Sequence, residues 1–304
     1  MALTASRNLT VSIQTRLVER SRALGVEHQL TLARFGGERL LYRLARSDFA
    51  DRFILKGAAL LLLWLGEAIR PTKDVDLLGF GDTSTDALHQ VFAALCAIDA
   101  PEDGLNFLAD SVRVRAIREA QEYGGMRVTL LAMLGNVRIP LQVDIGTGDA
   151  VVPPPTVLDF PGLLDLPRAR LRAYRPETSI AEKTEAMVRL AMANSRMKDF
   201  FDILRLAQTR TFDGETMRGA LTATFTRRQQ PIPGECPPAL SAEFADDPQK
   251  RTQWMAFVRR TKHPDIEDLS FVIETLKRFL WPVLEAAGRD MPFPYTWSNE
   301  GQWR

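Results

Sequence analysis

Two aspartates separated by one apolar residue, Asp74 and Asp76 in KDVDLLGF, have the type and spacing for metal chemistry. In a strand they project from one face, roughly 6.6 Å apart along the chain, while Val75 and Leu77 turn to the core. Carboxylate oxygens are hard ligands that suit magnesium. Divalent metal neutralises a triphosphate and lines up an attacking oxygen, so the pattern points to phosphoryl-group transfer from a nucleotide. A third acid, Asp144 in IPLQVDIG, ends an apolar strand-like run, where it would hold a second metal or deprotonate the nucleophile. Taken singly, each acid reads more readily as a solvated strand end or turn residue, with Lys73 or Arg70 as a salt-bridge partner for the DVD pair. The combination with a preceding glycine turn is what favours a site.

Such acids need strands to aim them. Residues 11 to 24 and 28 to 48 carry apolar positions at helical spacing, interrupted in the second by Gly36 and Gly37. Arg52 to Leu55 reads as a short strand, Gly57 to Leu65 as a buried helix and Val75 to Phe80 as a strand, so Lys56, Gly57 and Ala58 form a strand-to-helix turn. Arg70 and Thr72, just before the aspartates, are second-tier candidates for phosphate contact. A helix follows, capped among Asp82 to Thr85 and running to about Ile98. Val112 to Ile117, Met126 to Leu134 and Val137 to Ile145 then read as strands.

The prolines at 153, 154, 155, 161 and 167 argue against regular structure and set a boundary near residue 165. The division expected is an α/β domain with a mixed sheet over 1–165 and a helical domain over 166–304. Helices are expected at 179 to 194, 198 to 209, 213 to 226, about 247 to 261 and 265 to 287, with an irregular aromatic tail from Met291. Phe200, Phe201, Trp254, Phe257, Phe271, Phe279 and Trp281 are spaced as helix core. Lys183 lies in an apolar helical stretch, where a half-buried ammonium needs an anion: a triphosphate, or Glu185 or Asp199 within the chain. Asp199 is the choice for the site, and Asp202, one turn on, is equally a structural partner.

Between Arg168 and Arg228 thirteen Lys/Arg face seven Asp/Glu, about six units positive in a chain of net charge +1. That excess is a candidate surface for an RNA backbone, or simply a set of solvated helix faces. A composition of 45% apolar and 25% charged residues is that of a globular chain. Two cysteines and three scattered histidines exclude a disulfide framework, a Cys/His zinc site and a catalytic histidine pair. The polar N-terminus and the short apolar run Ala58 to Leu65 point to a cytoplasmic protein with no membrane partner.

LKGAAL, RPTKDVDLL, AYRPETSIAEKTEAMVRL and NSRMKDFFDIL, within residues 30 to 210, resemble the AbiEii/AbiGii toxin family. That family includes the MenT-like toxins, and the wider resemblance is to the nucleotidyltransferases of the DNA polymerase β superfold. The resemblance implies that Gly57 shapes a phosphate-facing turn, that Asp74 and Asp76 bind Mg2+ with Asp144 as third acid, and that Lys183 and Asp199 complete the site from the helical domain. It implies a toxin that moves NMP from a nucleoside triphosphate to RNA, with the 3′ end of tRNA as the expected acceptor, countered by a cognate antitoxin. Ala58 stands where the family has Gly or Ser, which leaves backbone N–H groups rather than a hydroxyl for phosphate. Small-molecule nucleotidyl transfer and a non-catalytic binding module on the same fold are the other readings.

Overall fold

The computed structural model describes residues 2–66, 73–117, 124–261 and 267–304. The chain divides into two units, the first comprising residues 1–148 and 156–173, the second 149–155 and 174–304.

In the first unit, helices α1 (Ala2–Leu24) and α2 (His28–Ala45) precede β1 (Phe53–Lys56), α3 (Ala59–Leu65), β2 (Val75–Gly79) and α4 (Thr85–Cys96). Strands β3 (Leu105–Ile117), β4 (Gly125–Leu134), β5 (Val137–Thr147), β6 (Thr156–Asp159) and β7 (Arg170–Ala173) follow. All seven strands form one mixed sheet in the order β3-β4-β5-β2-β1-β7-β6. The Ser84 hydroxyl caps α4 by accepting the Ala87 N–H at 3.4 Å.

One face of the sheet is apolar. Ile139, Leu141, Val143 and Ile145 of β5, Val75 and Leu77 of β2 and Val128 and Leu130 of β4 are buried there. α2 runs through the glycine pair rather than breaking at it. A Cβ on Gly36 would stand 2.9 Å from Leu141 Cδ2, and one on Gly37 would stand 3.2 Å from Val75 Cγ2. The two glycines therefore let the helix lie close on β5 and β2, which directs the alternate residues of those strands to the opposite face.

Asp103 ties α2 to the segment entering β3. Fully buried, it accepts Arg39 Nε at 2.8 Å, Arg43 Nη1 at 2.6 Å and the Leu105 N–H at 3.0 Å. Arg39 also donates to the Pro167 carbonyl at 2.6 Å.

The prolines do not exclude strands between 156 and 173, contrary to the sequence expectation. β6 and β7 pair with each other, and Ala173 of β7 meets Leu55 of β1 in parallel. This pairing draws the chain into the first sheet past residue 165 and sets the division at Ala173/Tyr174.

The second unit contains α5 (Pro176–Leu190), α6 (Met197–Thr209), β8 (Phe212–Asp213), α7 (Gly214–Arg227), α8 (Ala242–Asp246), α9 (Pro248–Thr261), α10 (Leu269–Gly288), β9 (Thr296–Ser298) and β10 (Gln302–Trp303). The Asp213 carboxylate caps α7 through the Thr216 N–H at 2.8 Å. The aromatic tail is ordered: β9 pairs with β8 and β10, Trp297 is fully buried, and its indole N–H donates to the Ala207 carbonyl at 2.7 Å. Gly214 permits this, because a Cβ there would meet Phe293 Cδ1 at 2.5 Å. Phe200, Phe201, Trp254 and Phe279 are buried core as their spacing predicts, whereas Phe271 is exposed.

Candidate active site

The acids lie on the face of the sheet opposite α2. β2 and β5 run parallel with Asp76 directly beside Asp144, and β1 runs antiparallel to β2 with Lys56 opposite Asp76. Neighbouring strands are about 4.8 Å apart, so Lys56, Asp76 and Asp144 form one transverse row. Asp74, half-buried, stands one residue before β2, on the Asp76 side of the strand by alternation.

Gly57 closes the turn after β1 with φ of +74°, in the left-handed region that glycine tolerates. A Cβ at this position would stand 2.6 Å from both Asp76 Cβ and Cγ, and closer still to Oδ2. The bare backbone at residue 57 is therefore what leaves room for the Asp76 carboxylate. Ala58 follows in helical conformation, and α3 is only seven residues long with no side-chain cap.

Asp144 is held by a residue that the sequence reading missed. Arg127 Nε and Nη2 reach Asp144 Oδ1 and Oδ2, each at 2.7 Å, a bidentate pair between cross-strand partners of β4 and β5. Gln142 Nε2 adds a longer contact to Oδ2 at 3.4 Å. A signal for Arg127 exists in the sequence. Gly135-Asn136 is a two-residue hairpin turn, and counting back from Leu134 opposite Val137 places Arg127 opposite Asp144.

The donor chemistry fits magnesium. Asp74 and Asp76 offer hard oxygens at alternate positions, and the space beside Asp76 is kept by the missing Cβ of Gly57. Among the described residues, no three His, Cys, Asp or Glu side chains are gathered around a metal position, and both Asp144 oxygens turn to Arg127. Arg70 and Thr72 lie outside the described residues.

In the helical unit Lys183 of α5 donates to Asp199 Oδ1 at 2.6 Å and Asp202 Oδ2 at 2.9 Å, both on α6. Both acids are buried. Arg196 Nε lies 2.7 Å from the second Asp199 oxygen as an ion-pair contact. Burial alone would lower the Lys183 ammonium, but the two carboxylates outweigh it and hold the group above the usual lysine range. Burial would likewise raise Asp199, and Lys183 and Arg196 instead hold it below the usual carboxylate range. The pair thus stays ionised across neutral pH, and of the anions open to Lys183 from sequence the chain itself supplies Asp199, with Asp202 rather than Glu185 beside it.

The basic excess between Arg168 and Arg228 is largely internal. At least nine of its thirteen cations form ion pairs with described residues: Arg170, Arg172, Arg175, Lys183, Arg189, Arg196, Arg205, Arg218 and Arg228. Arg228 alone meets Glu185 at 2.5 Å and Asp149 at 3.2 Å. Lys183 and Arg228 join one helix to another, and most of the remaining pairs are local, within one helix or between neighbouring strands. No helix among the described residues is long and apolar enough to cross a membrane.

A mixed sheet that carries carboxylates at neighbouring strand positions beside a glycine turn, followed by a helical unit, defines a nucleotidyltransferase-type architecture. The model of the nucleotidyl transferase AbiEii toxin family, of the type IV toxin–antitoxin systems, matches residues 39–279. The chain belongs to this family of nucleotidyltransferases. Among solved structures it is similar to MenT4, a nucleotidyltransferase toxin from Mycobacterium tuberculosis, with 16% identity and a TM-score of 0.52 over 91% of this chain and 99% of that one. It also matches JHP933 from Helicobacter pylori, with 15% identity and a TM-score of 0.47 over 86% of this chain and 91% of that one. No curated protein sequence matches the chain.

Proposed function

We propose that the chain is a magnesium-dependent toxin that transfers a nucleoside monophosphate from a nucleoside triphosphate to a hydroxyl of RNA, with the 3′ end of tRNA as the preferred acceptor. The observation that carries this reading is the Asp76–Asp144 pair, side by side on parallel strands, with Gly57 leaving room for the Asp76 carboxylate. Asp74 and Asp76 would hold magnesium, which when bound neutralises the triphosphate and withdraws charge from the α-phosphorus. The acceptor oxygen attacks that phosphorus, the bond to the bridging oxygen breaks, and pyrophosphate departs. Asp144 orients the acceptor hydroxyl and helps to take its proton, while Arg127 fixes the carboxylate in place.

Lys183 and Asp199 enter as positioning residues. Support for that part is the ammonium that joins α5 to two acids of α6. Membership of a type IV toxin–antitoxin family supports a cognate antitoxin as partner, and a cytoplasmic place of action follows from an RNA target.

Expression in a bacterial host tests the reading in the cell. Growth is expected to arrest with the unaltered chain and to proceed with Asp76→Asn at equal protein level. Arrest that persists with Asp76→Asn would instead mean inhibition by binding alone.

A further inference from the structure

The row of charged residues that contains the acids does not end at Asp144. Register carries it from Asp76 on β2 to Asp144 on β5, Arg127 on β4 and Arg115 on β3. Arg113, two residues from Arg115, faces Thr129 one row away on the same side of the sheet. Val114, between them, pairs with buried Val128 on the other face, so the two arginines project away from the core.

Arg127 is spent on Asp144, whereas Arg113 and Arg115 are exposed and neither forms an ion pair with an acid among the described residues. Arg113 rests one guanidinium nitrogen on the Asp110 and Val112 carbonyls, each at 2.8 Å, which anchors the side chain without neutralising it. β3 is the edge of the sheet, and no further strand among the described residues pairs with it. Three strand steps place Arg115 roughly 14 Å from Asp76, and the two arginines stand roughly 6.6 Å apart along β3. The second length is about the separation of successive phosphates in an extended single strand. The first is covered by a few nucleotides reaching back from a 3′ end at Asp76.

We propose that Arg113 and Arg115 bind the phosphodiester backbone of the acceptor RNA upstream of its reacting end. This deepens the function proposed above and rests on RNA being the acceptor. Guanidinium groups match phosphate bidentately, and contacts of this kind position a strand without reading its sequence. A protein segment laid along β3 would use the strand's backbone edge instead and would not depend on these two charges.

The test compares the full chain, the R113A/R115A variant and an R251A/R289A control of equal charge change, using labelled bulk tRNA and anisotropy across a salt series. Both substituted positions lie on exposed strand surface, and unchanged melting temperatures confirm folding. R113A/R115A is expected to bind tRNA about tenfold more weakly at low salt, with a log Kd against log salt slope shallower by about 1.4 to 1.8. Its KM for tRNA is expected to rise while the KM for nucleotide stays constant, and R113K/R115K should recover most of the affinity. Affinity and slope equal to those of the control would overturn the inference, and if the unaltered chain still transfers nucleotide to tRNA the proposed function stands. An unaltered chain that neither binds nor modifies tRNA would overturn both.

Discussion

Gly57→Ala is expected to lower nucleotidyl transfer by at least about a hundredfold, the scale on which small misplacements of a reacting group are felt. The added methyl would occupy the space of the Asp76 carboxylate, 2.6 Å from its Cβ and Cγ. Either the carboxylate swings out of its row beside Asp144 or the turn opens and moves β1 away from β2. The backbone contributes a second penalty, since φ of +74° costs a residue with a Cβ about 1–3 kcal/mol. Steady-state transfer rates and thermal melting measure the two effects separately. Ala58→Gly is the matched comparison: it sits in ordinary helical conformation at φ of −67° and should change transfer by less than about threefold. Equal rates for Gly57→Ala and the unaltered chain would show that Asp76 does not need its place beside the turn.

Asp103→Ala is expected to have the largest effect on stability, about 3–5 kcal/mol, because it removes the buried anion shared by two buried guanidinium groups and leaves Arg39 only the half-buried Glu102, 3.3 Å away. Arg39 and Arg43 are both almost fully buried, and Arg43 donates to both Asp103 oxygens, at 2.6 and 3.3 Å. Their stacking on Tyr42 and Phe107 holds the guanidinium planes but offers no countercharge. A fall in melting temperature on the order of 10 °C is expected. A change below about 1 kcal/mol would mean that water or another acceptor replaces the carboxylate. Since α2 lies on β5 and β2 through Gly36 and Gly37, the loss should reach the strands that carry the acids.

The acids were legible in the sequence because their neighbours alternate. Val75 and Leu77 are buried, which left Asp74 and Asp76 a single shared face, and the apolar run before Asp144 announced a strand of the same kind. The turn at Gly57 was legible as a break between a strand and a helix, but the reason for glycine there was not. That reason is the approach of a side chain from the next strand, a contact nineteen residues away in sequence (76 minus 57). β7 was missed because Arg170-Leu171-Arg172-Ala173 is half charged, and its place is set by one parallel pairing with distant β1. The tail strands failed for the same reason: β9 is three residues long and exists through pairing with β8 and the burial of Trp297. The basic excess of the helical half was visible as composition, while its pairing with acids more than a dozen residues away was not.

The central claim is that Asp74 and Asp76 make this chain a nucleotidyltransferase acting on RNA. Purified protein incubated with bulk tRNA, magnesium and each of four labelled nucleoside triphosphates in turn, beside an Asp74→Ala control, tests it most directly. Label is predicted to enter RNA with the unaltered chain and at least one nucleotide, and to be absent from every mixture with Asp74→Ala. Label entering RNA equally with Asp74→Ala, or in none of the mixtures, would contradict the claim.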